Sequence, residues 1–438
     1  MTPAKLANSG RSYRAYLTGG SEQARAVAQV DGSCRVIGRL AIERHEMRGS
    51  MGRRNDKGRA VCPRSASGEL TELRLEVPWL AEVPVHALQQ ELACVERAFE
   101  NWRAGRASYP TPRKRHQGVR IKFADPKDWR VEKVAGRRWR IRLPKQLGWF
   151  EFVKHRPFGG NIKSVTLSYK AGRWAVSFGI AQRKPEATTK PGICGVDVGV
   201  TETIATSRPV DLGEGRGPQR LHRMPALLSA GEKAYLCRLE LRAGTQTEVR
   251  KRRRSKITIS QRKTYQGIGR VYARIGRRRS AWLRLVAARL GEFGTVVFEN
   301  IPIPNLTRGA KPKPDPDQPG QFLPNGQAAK AGLNRAILNS GWGYLRTFTA
   351  EKTQTVKVPS QYTSQDCRAC GHRDPAHRPH RDQFRCVACG HSNHADLNAS
   401  ENIEARGSRV LTSEATALVV AAHSRKTDGT KERKARAA

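Results

Sequence analysis

The feature that most constrains this chain lies in its last quarter, where Cys367-x-x-Cys370 is followed, after 15 residues, by Cys386-x-x-Cys389. A segment this short cannot bury a core of its own, and two such pairs are the spacing of a tetrahedral four-thiolate zinc site. Gly371 and Gly390 follow the pairs, so each pair ends in a tight turn that lets backbone N–H groups approach the sulfurs. Four thiolates leave no open position, which makes the expected zinc structural and worth about 10–16 kcal/mol to its knuckle. A redox pair, or a mixed site drawing on His372, His391 or His394, is the competing reading. Directly after the second pair comes a lone acid, Asp396, at the head of the helix-like run "ADLNASENI". A structural metal placed against one carboxylate is an unusual juxtaposition, and the remainder of the chain bears on it.

The charge balance narrows the partner. Lys and Arg total 81 against 38 Asp and Glu, a formal net charge of +43 spread through most of the 438 residues. A solvated surface does not need that excess, whereas a polyanion partner does. No apolar run approaches the roughly 20 residues of a membrane-spanning helix, and the opening "MTPAKLANSGRSYRAYL" has no apolar core of a secretion signal. Five of the nine cysteines are scattered, which is not a disulfide framework. The expectation is a cytoplasmic, nucleoid-associated nucleic-acid protein.

Periodicity orders the chain. Residues 11–18 alternate as a strand, and 21–48 and 84–105 read as helices, with a polar, Gly-rich loop between them. From about 118 to 182 short strands follow, including a hairpin over 164–180 with Gly172 in its turn. In "RRWRIRL", Arg138, Arg140 and Arg142 share one face opposite Trp139, Ile141 and Leu143, and with the global charge this predicts a phosphate-tracking face. After the linker at 184–192, "ICGVDVGVTETIATS" reads as two strands around Gly199. Residues 250–279 hold 13 Lys or Arg and no acid, including Arg252, Arg253, Arg254 and Lys263, and read as a basic helix and phosphate rail that runs into an apolar stripe. A strand, "GTVVFENIPI", then a Pro/Gly/Lys-rich mobile loop (307–328), a helix with a soft centre at Gly341–Gly343 (331–348) and a disordered final segment complete the expectation.

Three acids punctuate apolar elements far apart in sequence: Asp197, Glu299 and Asp396. Each alone reads as a cap or loop acid. Together they fit the plan of an RNase-H-like sheet, in which two strands and a late helix bring three carboxylates beside one another. Such a cluster holds two Mg²⁺ ions about 4 Å apart for phosphodiester hydrolysis. The order Asp–Glu–Asp matches RuvC-type nucleases; DDE-type transposases place Glu last.

The motifs "GVDVGV", "FENIP" and "YTSQDCRACGH…FRCVACGH…ADLNASENI" resemble the nuclease and zinc-finger block of TnpB and of the compact type V CRISPR effectors. The opening helices and the basic approach to the strands are similar to that family too, so the resemblance covers most of residues 11–406. It implies a multidomain α+β and α/β chain. A first barrel strand (1–18), a helical recognition insert (19–106) and a wedge-like, oligonucleotide-binding-like β-barrel (107–182) precede a RuvC nuclease domain (192–406). A zinc finger (363–392) is inserted in that domain, and a basic, disordered tail (407–438) follows. It implies catalytic, magnesium-binding roles for Asp197, Glu299 and Asp396, and zinc ligation by Cys367, Cys370, Cys386 and Cys389. It also implies a guide RNA, a double-stranded DNA target beside a short protein-read motif, and action as a monomer or a homodimer on one guide. Two positions depart from the family: His394 stands where an acid is usual, and Thr18-Gly19 where Pro-Thr is usual. A guide-dependent DNA binder with weak cleavage and a non-catalytic zinc-knuckle RNA-binding protein stay open as alternatives.

Overall fold

Strand β1 (Arg11–Thr18) buries Tyr13, Ala15 and Leu17 and leaves Arg14, Tyr16 and Thr18 in water, the period-two pattern its sequence predicts. The computed structural model describes residues 11–18, 20–50, 66–170, 173–181, 191–213, 215–318 and 320–413. They fall into two units, Met1–Arg183 with Arg242–Arg270, and Lys184–Leu241 with Val271–Ala438.

In the first unit β1 is the central strand of a seven-stranded antiparallel sheet. The other strands are β2 (Val119–Phe123), β3 (Arg130–Ala135), β4 (Arg138–Leu143), β5 (Gly148–Val153), β6 (Ile162–Lys170) and β7 (Arg173–Ile180), in the order β2-β6-β7-β1-β5-β4-β3. The first six residues of β1 pair with β7 and its last two with β5, so one strand joins the two halves of the sheet. Tyr13, Phe123, Ile141, Phe150, Leu167 and Phe178 form the core, and helices α1 (Ser21–Ser50) and α4 (Val85–Arg103) add Val27, Val30, Cys34 and Leu88. Two short helices follow, α2 (Ala66–Glu76), which begins inside the stretch 49–69 read as loop, and α3 (Pro78–Glu82). Each buries one leucine, Leu70 or Leu80, which is too little apolar signal to show a period. The Arg74 guanidinium ties them by donating to the carbonyls of Leu80, Ala81 and Val83. The tip of the β6–β7 hairpin, with Gly172, lies outside the described residues.

Helices α5 (Ala230–Arg252) and α6 (Ile259–Leu290) each contribute to both units. The acid-free run 250–279 is therefore not one helix. It is the end of α5, a turn in which Arg254 takes a positive φ of 47°, and two thirds of α6. Mutual repulsion among Arg250–Arg254 is relieved where the chain turns out of the helix.

The second unit is built on β8 (Ile193–Val198), β9 (Ile204–Val210), β10 (Gln219–His222), β11 (Thr295–Glu299) and β12 (Gln354–Val358), in the order β10-β9-β8-β11-β12. The three strands β8, β11 and β12 run parallel, and β8–β9–β10 run antiparallel. A short helix α7 (Ile303–Leu306) follows β11. The 307–328 segment is bridged rather than loose, with Leu323 donating to Lys313 and Asn325 to Lys311. The helix expected at 331–348 is two helices, α8 (Gln327–Ser340) and α9 (Trp342–Ala350), separated at Gly341 with φ 74°. One sheet face packs Cys194, Val196, Val296 and Phe298 against Trp282, Leu283, Val286 and Leu290 of α6 and Leu345 and Phe348 of α9.

The other face packs Ile193, Val297, Val356 and Val358 against Ile403 and Val410 of the last helix, α10 (residues 395–413). That helix runs past the tail boundary expected at 406; residues 414–438 lie outside the described residues. Two glycines allow α10 its depth. A Cβ on Gly195 would lie 2.5 Å from the Glu404 amide nitrogen and collide with the Ser400 carbonyl, and one on Gly407 would lie 2.7 Å from a methyl of Val297. Gly195→Ala and Gly407→Ala should each destabilise the protein by about 1–3 kcal/mol in urea unfolding. Gly244→Ala, in α5 with open space around it, should stabilise by about 0.5–1 kcal/mol.

Candidate functional site

The sheet register brings two of the acids together. Val196 on β8 pairs with Phe298 on β11, so Asp197 and Glu299, one residue on, stand opposite one another on adjacent parallel strands, about 4.8 Å apart along the sheet. Alternation puts both on the face that carries Gly195 and Val297, which is the face α10 covers. Asp396 is the second residue of α10, and its amide donates to His394 Nδ1 at 3.2 Å. Asp197 accepts from its neighbour Val198 N at 2.9 Å, and the turn after it is held by Trp342 Nε1 on Gly199 O at 3.2 Å.

Their electrostatics are those of a cation site. Burial pushes Asp197 from its ordinary 3.8 up to about 8, with the Glu299 and Asp396 carboxylates adding to the rise. Burial also raises Glu299, opposed by the Thr363 hydroxyl that donates to it and by Arg406, and raises Asp396, opposed by His394 and Arg378. Arg378 lowers both Asp197 and Asp396, so a cation from the cysteine-rich insert faces the carboxylates. Three clustered, half-desolvated carboxylates with so little compensation are destabilised until a cation joins them. Their donor set, carboxylate oxygens alone, is the hard-oxygen chemistry that suits Mg²⁺.

The cysteines converge as expected. Cys367, Cys370, Cys386 and Cys389 place all four sulfurs within 4.8 Å of one another, with Cys367–Cys389 at 3.7 Å and Cys370–Cys386 at 3.6 Å. Tetrahedral zinc with thiolates at about 2.3 Å requires sulfurs about 3.8 Å apart, so the donor set fits that ion. The two arms repeat one geometry. Cys367 N donates to His372 O and Gly371 N to Cys367 O, while Cys386 N donates to His391 O and Gly390 N to Cys386 O, with both glycines at positive φ. Strands β13 (Gln383–Arg385) and β14 (Ser392–His394) pair across the insert, and β14 runs directly into α10.

A stripe on α10 that sequence reasoning missed joins the two centres. Asn398, Asn402 and Arg406, spaced by four, hold the backbone of 359–368. Asn398 Nδ2 donates to Asp366 O at 2.9 Å and its Oδ1 accepts from Arg368 N at 3.1 Å. Asn402 Nδ2 donates to Thr363 O at 2.9 Å and Asp366 O at 2.7 Å. Arg406 donates to Pro359 O, Gln361 O and the Asp366 carboxylate at 2.9, 2.8 and 2.6 Å. Thr363, thus fixed, donates to Glu299. The four-residue spacing was visible in the sequence; that its partners are carbonyls of a distant segment was not.

The basic residues singled out earlier divide. Arg140 is held by Glu132 at 2.9 Å and lies over Trp149, and Arg138 pairs with Glu151 at 3.1 Å, so two of the three arginines on β4 answer acids of neighbouring strands. Arg142 is exposed on the same face. Arg252, Arg253, Arg254 and Lys263 are exposed around the α5–α6 turn. Replacing Asn402 by Ala removes the side-chain donor to the Thr363 carbonyl and leaves Asp366 O with Asn398 alone, and should cost about 1–3 kcal/mol in thermal or urea unfolding.

Residues 342–403 match the family described as Cas12f1-like, TNB domain. InsQ of Escherichia coli K12, named for an RNA-guided DNA endonuclease, is 28% identical over 419 residues, covering 92% of this chain and 93% of that protein. A Streptomyces pristinaespiralis protein with the same designation is 27% identical over 407 residues, covering 90% and 88%. The solved structure of the mini-RNA-guided endonuclease CRISPR-Cas phi3 superposes on 91% of this chain and 93% of its own at 9% identity, with a TM-score of 0.47. The chain is thus similar to a Cas12f1-like domain through its cysteine-rich insert and to two RNA-guided DNA endonucleases over about nine tenths of its length, as its resemblance to TnpB and the compact type V CRISPR effectors leads one to expect.

Proposed function

We propose that this protein is an RNA-guided, Mg²⁺-dependent DNA endonuclease. The observation that carries the reading is that Asp197 and Glu299 stand side by side at the ends of adjacent strands, with the Glu299 and Asp396 carboxylates both adding to the rise of Asp197. In this reading the second unit is a RuvC-type nuclease domain with its zinc finger at 363–392. The seven-stranded sheet of the first unit is an oligonucleotide-binding-like, wedge-like barrel, with residues 19–106 as its helical recognition insert. The relatives' names, RNA-guided DNA endonuclease, support an RNA guide and a DNA target; in this reading the target is double-stranded and is read by base pairing beside a short protein-read motif. Chemistry of this kind rests on two magnesium ions, which activate the attacking water and stabilise the leaving oxygen.

The chain's own residues set the geometry. Asp197, Glu299 and Asp396 would hold the ions through their carboxylate oxygens. Thr363 orients Glu299, the β14–α10 junction orients Asp396, and Arg378 supplies a positive charge where a phosphate enters. The exposed Arg142, Arg252, Arg253, Arg254 and Lys263 guide nucleic acid by charge, and Arg138 and Arg140 do so only to the extent that phosphate displaces Glu151 and Glu132. The zinc finger is structural. No helix among the described residues is long and apolar enough to cross a membrane. A guide-dependent binder would keep this charge and fold with acids free to vary. Three intact acids at one site favour cleavage.

The test is to express the protein with its flanking DNA, sequence the RNA that copurifies, and assay a matched DNA target. Asp197→Asn should keep RNA binding and lose cleavage by more than the 10- to 100-fold that outer-shell changes cost. Retained cleavage would overturn the assignment. The same residue sets a pH dependence. In the metal-free folded protein Asp197 keeps a proton from its ordinary 3.8 up to about 8, while the unfolded chain releases it near 3.8. Folded protein then binds more protons across that window, so stability falls as pH rises from about 4 to about 8. Metal-free thermal unfolding should show this slope, and it should flatten in Asp197→Asn. Cleavage at limiting Mg²⁺ should rise over the same range, because the cation displaces the proton.

A further inference from the structure

Beside the four-thiolate centre lies a second donor set that shares one of its sulfurs. His372 Nδ1, His377 Nε2 and Cys386 Sγ all lie within 4.8 Å of one another. His377 is fully buried, and Phe384, also fully buried, sits edge-on to it at 5.2 Å. The tautomer of His377 is fixed by chemistry. Its Nδ1 lies 2.8 Å from the carbonyl oxygen of Gln365, which can only accept, so Nδ1 carries the hydrogen and Nε2 presents a lone pair. That lone pair points at His372 Nδ1, 3.2 Å away, and at Cys386 Sγ, 3.6 Å away. With Cys386 a thiolate and His372 Nδ1 free of its hydrogen, three electron-pair donors converge on one pocket, where a cation would bind all three.

The separations are those of metal ligands. Zinc at about 2.0–2.1 Å from nitrogen and 2.3 Å from sulfur, with tetrahedral angles, sets two nitrogens about 3.3 Å apart and nitrogen and sulfur about 3.6 Å apart. A ligating histidine that donates its other N–H to a backbone carbonyl is also the usual arrangement. Four thiolates around one zinc carry two net negative charges, so a second dication bridged by Cys386 brings the pair of centres to neutrality.

We infer that His372, His377 and Cys386 form a second zinc site, with Cys386 bridging it to the four-thiolate centre and a solvent molecule in the fourth position on the exposed His372 side. The ion pins the turn Asp374–His377, whose next residue is Arg378, the cation that faces Asp197 and Asp396. Site occupancy thereby ties the insert's far loop to the carboxylates. The inference is independent of cleavage, because metal content is read without substrate.

The experiment is zinc content per chain, by elemental analysis, of the full-length protein saturated with zinc and gel-filtered. Two zinc ions per chain are expected, falling to one in His372→Ala and in His377→Gln. His372 is exposed, so that variant should keep its fold by circular dichroism even if the change at buried His377 does not. Cobalt substitution gives a second readout: the histidine variants should lose one of two cobalt ions while keeping the thiolate-to-cobalt absorption of the four-cysteine centre. One zinc in the parent protein, or two that persist in His372→Ala, would overturn the inference.

Discussion

The contact on which this protein depends is the close seating of α10 on the sheet of the second unit. Gly195 and Gly407 remove the two side chains that would hold the helix off, and Val297, Val358, Ile403 and Val410 fill the seam. Dispersion and burial reward that closeness. The consequence is chemical, since the same face carries Asp197 and Glu299 at its edge and the helix carries Asp396 at its head. Apolar packing therefore places three like charges together, and the burial that raises Asp197 to about 8, with repulsion from Glu299 and Asp396 adding to it, is sustained by a contact that has no charge in it.

The cysteine-rich insert is coupled to that contact at both ends. Its second arm continues through β14 into α10, and its first arm is bound by Asn398, Asn402 and Arg406 from the helix surface. Asp366 collects Arg373 and Arg406; burial alone would raise its carboxyl, and these two guanidinium groups hold it below its ordinary range. A metal held by the four cysteines would order the insert, and with it Thr363, which donates to Glu299, and Arg378, which lowers Asp197 and Asp396.

The first unit handles charge differently. Its buried pairs are structural: Asp31 accepts from Arg35 and from Arg113, linking α1 to the chain that enters β2. On β4, acids on neighbouring strands partly neutralise the arginine face. The exposed Arg252, Arg253, Arg254 and Lys263 gather around the α5–α6 turn, whereas Lys251 answers Glu248 and Arg274 and Arg278 answer Glu232. A net +43 favours a polyanion partner; only neighbouring side chains say which cations an acid already holds.

Much of the site was legible in the chain itself. The cysteine spacing fixed the four sulfurs as a set, because ligand geometry tolerates few loop lengths. Alternation fixed Asp197 and Glu299 at strand ends, because a buried parallel strand stops where its apolar run stops. Helices with little apolar signal, α2 and α3, and the breaks at Arg254 and Gly341 escaped, because one leucine gives no period and a turn can hide in a run of uniform charge. Tertiary structure alone decided that the acids share one face, that Arg378 and Thr363 attend them, and that His377 approaches Cys386. These depend on strand register and on the depth of a helix contact, and both are settled by side chains distant in sequence that meet only after folding.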